Sequence, residues 1–246
     1  MLVATLVQAA VLGPVLILAP LWWLGGDRGR EAAAAALERW RVAVYFLAIG
    51  LAFLFIEIAS IQRFVLFLGH PVYAISVVLC GFLVFAGLGS GIAPRLAARL
   101  EAWRRPSPSD APLGRGRDGR SRRWRFRVPH PALALAVVGI AAAAVFHLVV
   151  LPPLFRGLMP LPDAAKIALS LLLIAPLAFF MGMPFPLALA RVAAVRPGLV
   201  PWAWGINGCA SVLSAVLATL LGMSFGFGAV VLIAIALYIL AAAVLR

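Results

Sequence analysis

The sequence predicts an all-α, polytopic transmembrane helix bundle of about seven spans. Three observations predict it. Of 246 residues, 65% are hydrophobic, whereas soluble domains stay near about 45–50%. Only 12% are charged, about half the soluble norm. The apolar residues also fall into windows long enough to cross a hydrocarbon layer of about 30 Å. Those windows are 2–24, 42–68, 72–93, 131–151, 166–190, 202–222 and 225–245.

The first window has no basic segment ahead of it and no small-x-small cleavage site before Asp27. It reads as a spanning helix rather than a secretory leader. Residues 31–41, with five consecutive alanines, read as a short helix lying at the inner interface. The second window is long, and is expected to tilt or to end in an interfacial turn around Gln62 and Arg63. Gly69-His70-Pro71 supplies the turn chemistry of a short hairpin connection. The third window ends in Gly87-Leu88-Gly89-Ser90-Gly91, where Gly87 and Gly91 have the spacing that lets helices pack closely. It is not a phosphate loop, because no strand precedes it and no Lys-Ser/Thr follows. The fifth window carries Met183-Pro184-Phe185-Pro186, two prolines that delete backbone donors and break the helix. The last two windows form one apolar run, divided where glycines cluster over 222–228.

Charge placement orients the bundle. Of 21 basic residues, Lys166 is the one lysine. The rest are arginines, a composition that hints at a GC-rich bacterial genome. Arg28, Arg30, Arg39 and Arg41 fall between the first two spans, eleven arginines from Arg95 to Arg127 between the third and fourth, and Arg191 and Arg196 between the fifth and sixth. With seven spans these share one side, and the opposite side receives Arg63, Arg156 and Lys166. The positive-inside rule then puts the N-terminus outside and the C-terminus inside, in a cell inner membrane. The net charge of +13 is thus a topology signal rather than a sign of nucleic acid. The loop 95–129 joins a breaker-rich stretch, Pro106-Ser107-Pro108, to a basic run around Arg122-Arg123-Trp124-Arg125. It is expected to rest on anionic lipid headgroups, with docking of a soluble partner as the other reading.

The candidate site residues are the polar groups inside the spans. Glu57 stands in an apolar run, where an ionisable residue is expensive and needs cover. At similar depth in the fourth span stands His147, so a Glu57–His147 contact is expected. It would act either as a polar clasp between helices or as part of a proton or cation relay. Gln62, Arg63 and His70 are expected at the outer interface, where long side chains snorkel. The break at Pro184 and Pro186 frees carbonyls that need donors or a water-filled cavity. Asn207, opening the sixth span at similar depth, is the expected donor, with Gly205 and Gly208 allowing close approach. The alternatives are a packed kink and a half-buried pocket for a polar or cationic ligand. On this reading Asn207→Leu is damaging and Ser214→Ala is mild. Cys80 and Cys209 lie in apolar runs without CxxC or histidine spacing, and read as small core residues. No paired carboxylates, metal-ligand spacing or strand-to-helix glycine turn is present, so no catalytic residue, cofactor or metal is expected.

Three stretches carry a resemblance. They are 53–79 (FLFIEIASIQRFVLFLGHPVYAISVVL), 181–189 (MGMPFPLAL) and 201–217 (PWAWGINGCASVLSAVL). Together they resemble the membrane portion of bacterial multi-pass spermidine-synthase-like proteins, in which membrane helices accompany a soluble Rossmann-type domain related to aminopropyltransferases. No such domain is expected within these 246 residues, which read as a fragment of such a protein or as a separate gene product working beside a soluble subunit. The resemblance implies a membrane module that anchors or serves a soluble catalytic partner, and a link to polyamines. Two other functions stand beside it: a stand-alone carrier for a small cation or amine using Glu57 and the broken helix, and a structural subunit of a larger membrane complex.

Overall fold

The computed structural model describes residues 32–104 and 131–245, with side chains from 39 to 103 and from 131 to 245. The expected first span and residues 105–129 of the basic loop lie outside them. The described residues are helical, without a strand. They form α1 (Ala32–Leu68), α2 (Pro71–Arg104), α3 (Pro131–Val149), α4 (Leu151–Leu158), α5 (Asp163–Met181), α6 (Pro184–Val195), a 3₁₀ turn (Pro197–Leu199), α7 (Val200–Phe225) and α8 (Phe227–Val244). Six segments are long and apolar enough to cross a membrane, and they coincide with the second to seventh expected spans. This is a multi-pass membrane helix bundle.

α1 is the axis. Over half of its apolar window is buried, 56%, against 28–39% in the other five spans. It packs mainly on α7 and α8, and less on α2, α5 and α6. Its buried residues include Tyr45, Phe46, Ala52, Phe55, Ile56, Phe64 and Phe67, which point in several directions around the helix. A helix apolar all round belongs in the middle of a bundle. Residues 32–41 continue α1 without a break, so the expected separate interfacial helix is its first turns. The helix likewise runs through Gln62 and Arg63 to Leu68. Nothing in that stretch breaks a helix, so the expected turn there gives way to a longer span.

Glycine ends two helices. Gly69 (φ +73°) and Gly226 (φ +83°) have positive φ, and each donates its N–H to a carbonyl of the last turn, Val65 and Gly222 respectively. Glycine takes that conformation without steric cost. Pro71 then opens α2, where its missing N–H loses nothing.

The close contact between α2 and α5 uses a different glycine from the expected ones. Gly87 and Gly91 face open space, while a Cβ on Gly89 would stand 1.9 Å from the Phe179 carbonyl oxygen. A Cβ on Gly182 would stand 2.0 Å from that of Ala86. Gly89 lies about 200° around the helix from both Gly87 and Gly91, so the two sets cannot face one neighbour. The cysteines also separate: Cys209 is buried, but Cys80 is exposed on α2 rather than in the core.

Candidate functional site

Glu57 is the centre of the site. It is 6% exposed, with apolar helix on either side of it. Among the described residues it has no hydrogen-bond or ion-pair partner. It lies seven residues, about two turns, beyond Gly50, and so on nearly the same face of α1. That face meets α7. A Cβ on Gly50 would stand 2.8 Å from both the Asn207 Oδ1 and the Ala210 Cβ. One residue on, the Ser214 hydroxyl donates to the Leu51 carbonyl across 2.8 Å. Nearer the start of α1, Phe46 packs edge-on against Phe185 at 5.4 Å, and Phe185 against Trp204 at 4.7 Å. Advance along α1 is matched by advance along α7, so the two helices run parallel.

His147 is buried but does not meet Glu57. Its Nε2 lies 3.0 Å from the Leu173 carbonyl oxygen of α5. Its own carbonyl accepts from Arg63 Nη1 at 2.6 Å, and its ring stands 6.4 Å from that of Phe64. His147 is therefore level with Arg63, and Glu57 sits six residues, about 9 Å, nearer the start of α1. No hydrogen bond or ion pair joins them among the described residues. The expected pairing fails because His147, in the last turn of α3, faces Arg63 and Phe64 of α1 and Leu173 of α5 instead. It ties α3 to α1 and α5 as a clasp, with different partners from the one expected. Gln62 and His70 are exposed, and the His70 ring lies edge-on to Tyr73 at 5.9 Å.

The fifth span is broken as its prolines require. α5 stops at Met181 and α6 restarts at Pro184, with Pro186 in its first turn. Local backbone repairs the gap. Gly182 N–H donates to Ala178 at 3.0 Å and Met183 N–H to Phe180 at 3.2 Å. The side-chain donor at the break is the Tyr45 hydroxyl, which reaches the Pro184 carbonyl across 2.9 Å. The expected donor, Asn207, instead lies against Gly50, and its amide makes no hydrogen bond among the described residues. The break is a packed kink at this point. Tyr45 is the polar residue that sequence reasoning passed over, and Ser214 is the one it took for a mild position. The signal for Tyr45 was its phenol, which needs a partner when buried.

The chemistry available is that of one intramembrane carboxyl among apolar helices. It can accept a proton or a small organic cation. A carboxylate in such a place carries a desolvation penalty of several kcal/mol, and a cation beside it lowers that penalty. Compared with known proteins, the chain matches no family model, no curated protein and no solved structure.

Proposed function

We propose that the chain is a membrane module of the spermidine-synthase-like kind, which anchors or serves a soluble Rossmann-type catalytic subunit, and that Glu57 is its cation-receiving group. The observation that carries the chemical part is the burial of Glu57 in a span without a partner among the described residues. An intramembrane ionisable residue is by default a candidate for an ion or substrate path. The link to polyamines rests on the three resembling stretches. The second and third of these meet in the bundle, at the Phe185–Trp204 ring contact. An amine is the cation that the resemblance suggests, and an ammonium against a carboxylate is a strong, charge-assisted pair.

The test uses the full chain in liposomes with radiolabelled spermidine and putrescine. Saturable amine binding that disappears in Glu57→Gln is expected. Equal binding by parent and Glu57→Gln would overturn the role of Glu57. Co-expression with the soluble aminopropyltransferase-like proteins of the host tests the partner, and failure of all of them to co-purify would overturn the module reading.

A second reading is a stand-alone amine carrier, favoured by the same carboxyl. It differs in one result, net uptake of amine by the chain without any soluble subunit.

A further inference from the structure

A second site lies at the end of the bundle that carries Arg63. There α1 and the short helix α4 line a pocket of about 260 Å³. Arg63, Leu66, Phe67, Leu151, Phe155 and Arg156 line it, with Pro152 and Met159 at its edge. α4 is held by its aromatic residue: Phe155 stacks on Phe67 at 4.2 Å and meets Phe64 edge-on at 5.1 Å. On Phe67 also stands Lys166 Nζ, 5.9 Å from the ring centroid.

Two cations thus line one pocket, and a third, Lys166, stands over one of its aromatic walls. They are the same three that the arginine asymmetry leaves on the side opposite the basic loop. Their hydrogen bonds go to backbone carbonyls, Arg63 to His147 at 2.6 Å and Arg156 Nε to Pro152 at 3.3 Å. Among the described residues none of the three pairs with a carboxylate. Asp163, one turn before Lys166 on α5, is exposed and makes no ion pair. Each guanidinium keeps N–H donors that these bonds do not use. Uncompensated positive charge over apolar walls asks for an anion with a hydrocarbon tail.

We propose that this pocket binds an anionic amphiphile, a phosphate or carboxylate head held by Arg63 and Arg156 with its apolar chain against Leu66, Leu151 and Met159. Lys166 adds to the field without being required for contact. The pair of guanidiniums suits a phosphate or carboxylate group, which accepts two N–H donors from each fork. The phosphate diester of a membrane lipid and a free phosphate share this chemistry, and the test separates them.

The full chain is purified in a neutral detergent. Native mass spectrometry then follows retention of phosphatidylglycerol against phosphatidylcholine, and a thermal-melt titration follows inorganic phosphate. The expected result is retention of one phosphatidylglycerol, reduced about tenfold in Arg156→Gln, as loss of a charge-assisted contact gives. Arg156 is exposed and bonds only within α4, so this variant keeps the fold. Arg63→Gln also loses a bond to α3 and serves as the second variant. Stabilisation by inorganic phosphate that is lost in Arg156→Gln, without lipid preference, would assign the site to a soluble anion of the same chemistry. If neither lipid retention nor phosphate stabilisation differs between parent and Arg156→Gln, the pocket is not an anion site and the proposal is wrong.

Discussion

The Tyr45 hydroxyl and the Pro184 carbonyl are 2.9 Å apart and both buried, so the central helix is bonded to the point where the broken span restarts. The bond joins positions 139 residues apart in the chain. Beside it, Phe46 and Phe185, each the next residue in its chain segment, meet edge-on at 5.4 Å.

Tyr45→Phe removes that bond while keeping the ring. Interhelix hydrogen bonds in membrane proteins contribute about 0.6 kcal/mol on average and up to about 1.7. The expected outcome is a lower unfolding temperature in detergent, with the helical circular dichroism of the parent. An unchanged midpoint would mean that the phenol contributes nothing here.

Ser214→Ala should also destabilise, by about 0.5–1.5 kcal/mol, because Ser214 is fully buried and bonded to α1. This reverses the expectation from sequence that the change is mild. Thr219→Ala is the matched control. Its hydroxyl is exposed and bonds within its own turn, so its loss should leave the melt where it was.

At the α2–α5 contact, Gly89→Ala and Gly182→Ala should each cost about 3 kcal/mol or more, since backbone atoms occupy the space the methyl group needs. Gly87→Ala and Gly91→Ala should leave stability unchanged or slightly raised, because a helical alanine replaces a glycine in open space. Comparable melts for all four variants would contradict the crossing described.

Glu57→Gln should melt at or above the parent temperature, since a buried carboxyl without a partner among the described residues is replaced by a neutral group of the same shape. Loss of stability together with loss of amine binding would point to a structural role. Unchanged or higher stability with lost binding is the expected combination.

Much of the bundle was legible because apolar length and helix-breaking residues are local properties. Six spans, the turn at Gly69 and the division at Gly226 follow from windows of about twenty residues and the conformational freedom of glycine. The break at Pro184 follows from proline's missing N–H. Partner choice was not legible in the same way. Glu57 and His147 were matched by depth counted along their spans, and such a count does not fix which turn of one helix meets which turn of its neighbour. Asn207 was matched to the break by depth, but depth leaves the direction of a side chain around its helix undetermined. Gly89 rather than Gly87 or Gly91 makes the close approach for the same rotational reason.

The burial of α1 also has a consequence for biogenesis. Its main neighbours, α7 and α8, follow it in the chain by more than a hundred residues and leave the ribosome well after it. Until they insert, the helix that becomes the axis of the bundle borders lipid on the face that includes Gly50 and nearly includes Glu57. The nascent chain therefore carries an uncovered carboxyl in the bilayer for the time needed to synthesise more than a hundred further residues. A chain stalled before α7 would be a substrate for membrane quality control, and Glu57 would be the feature that exposes it.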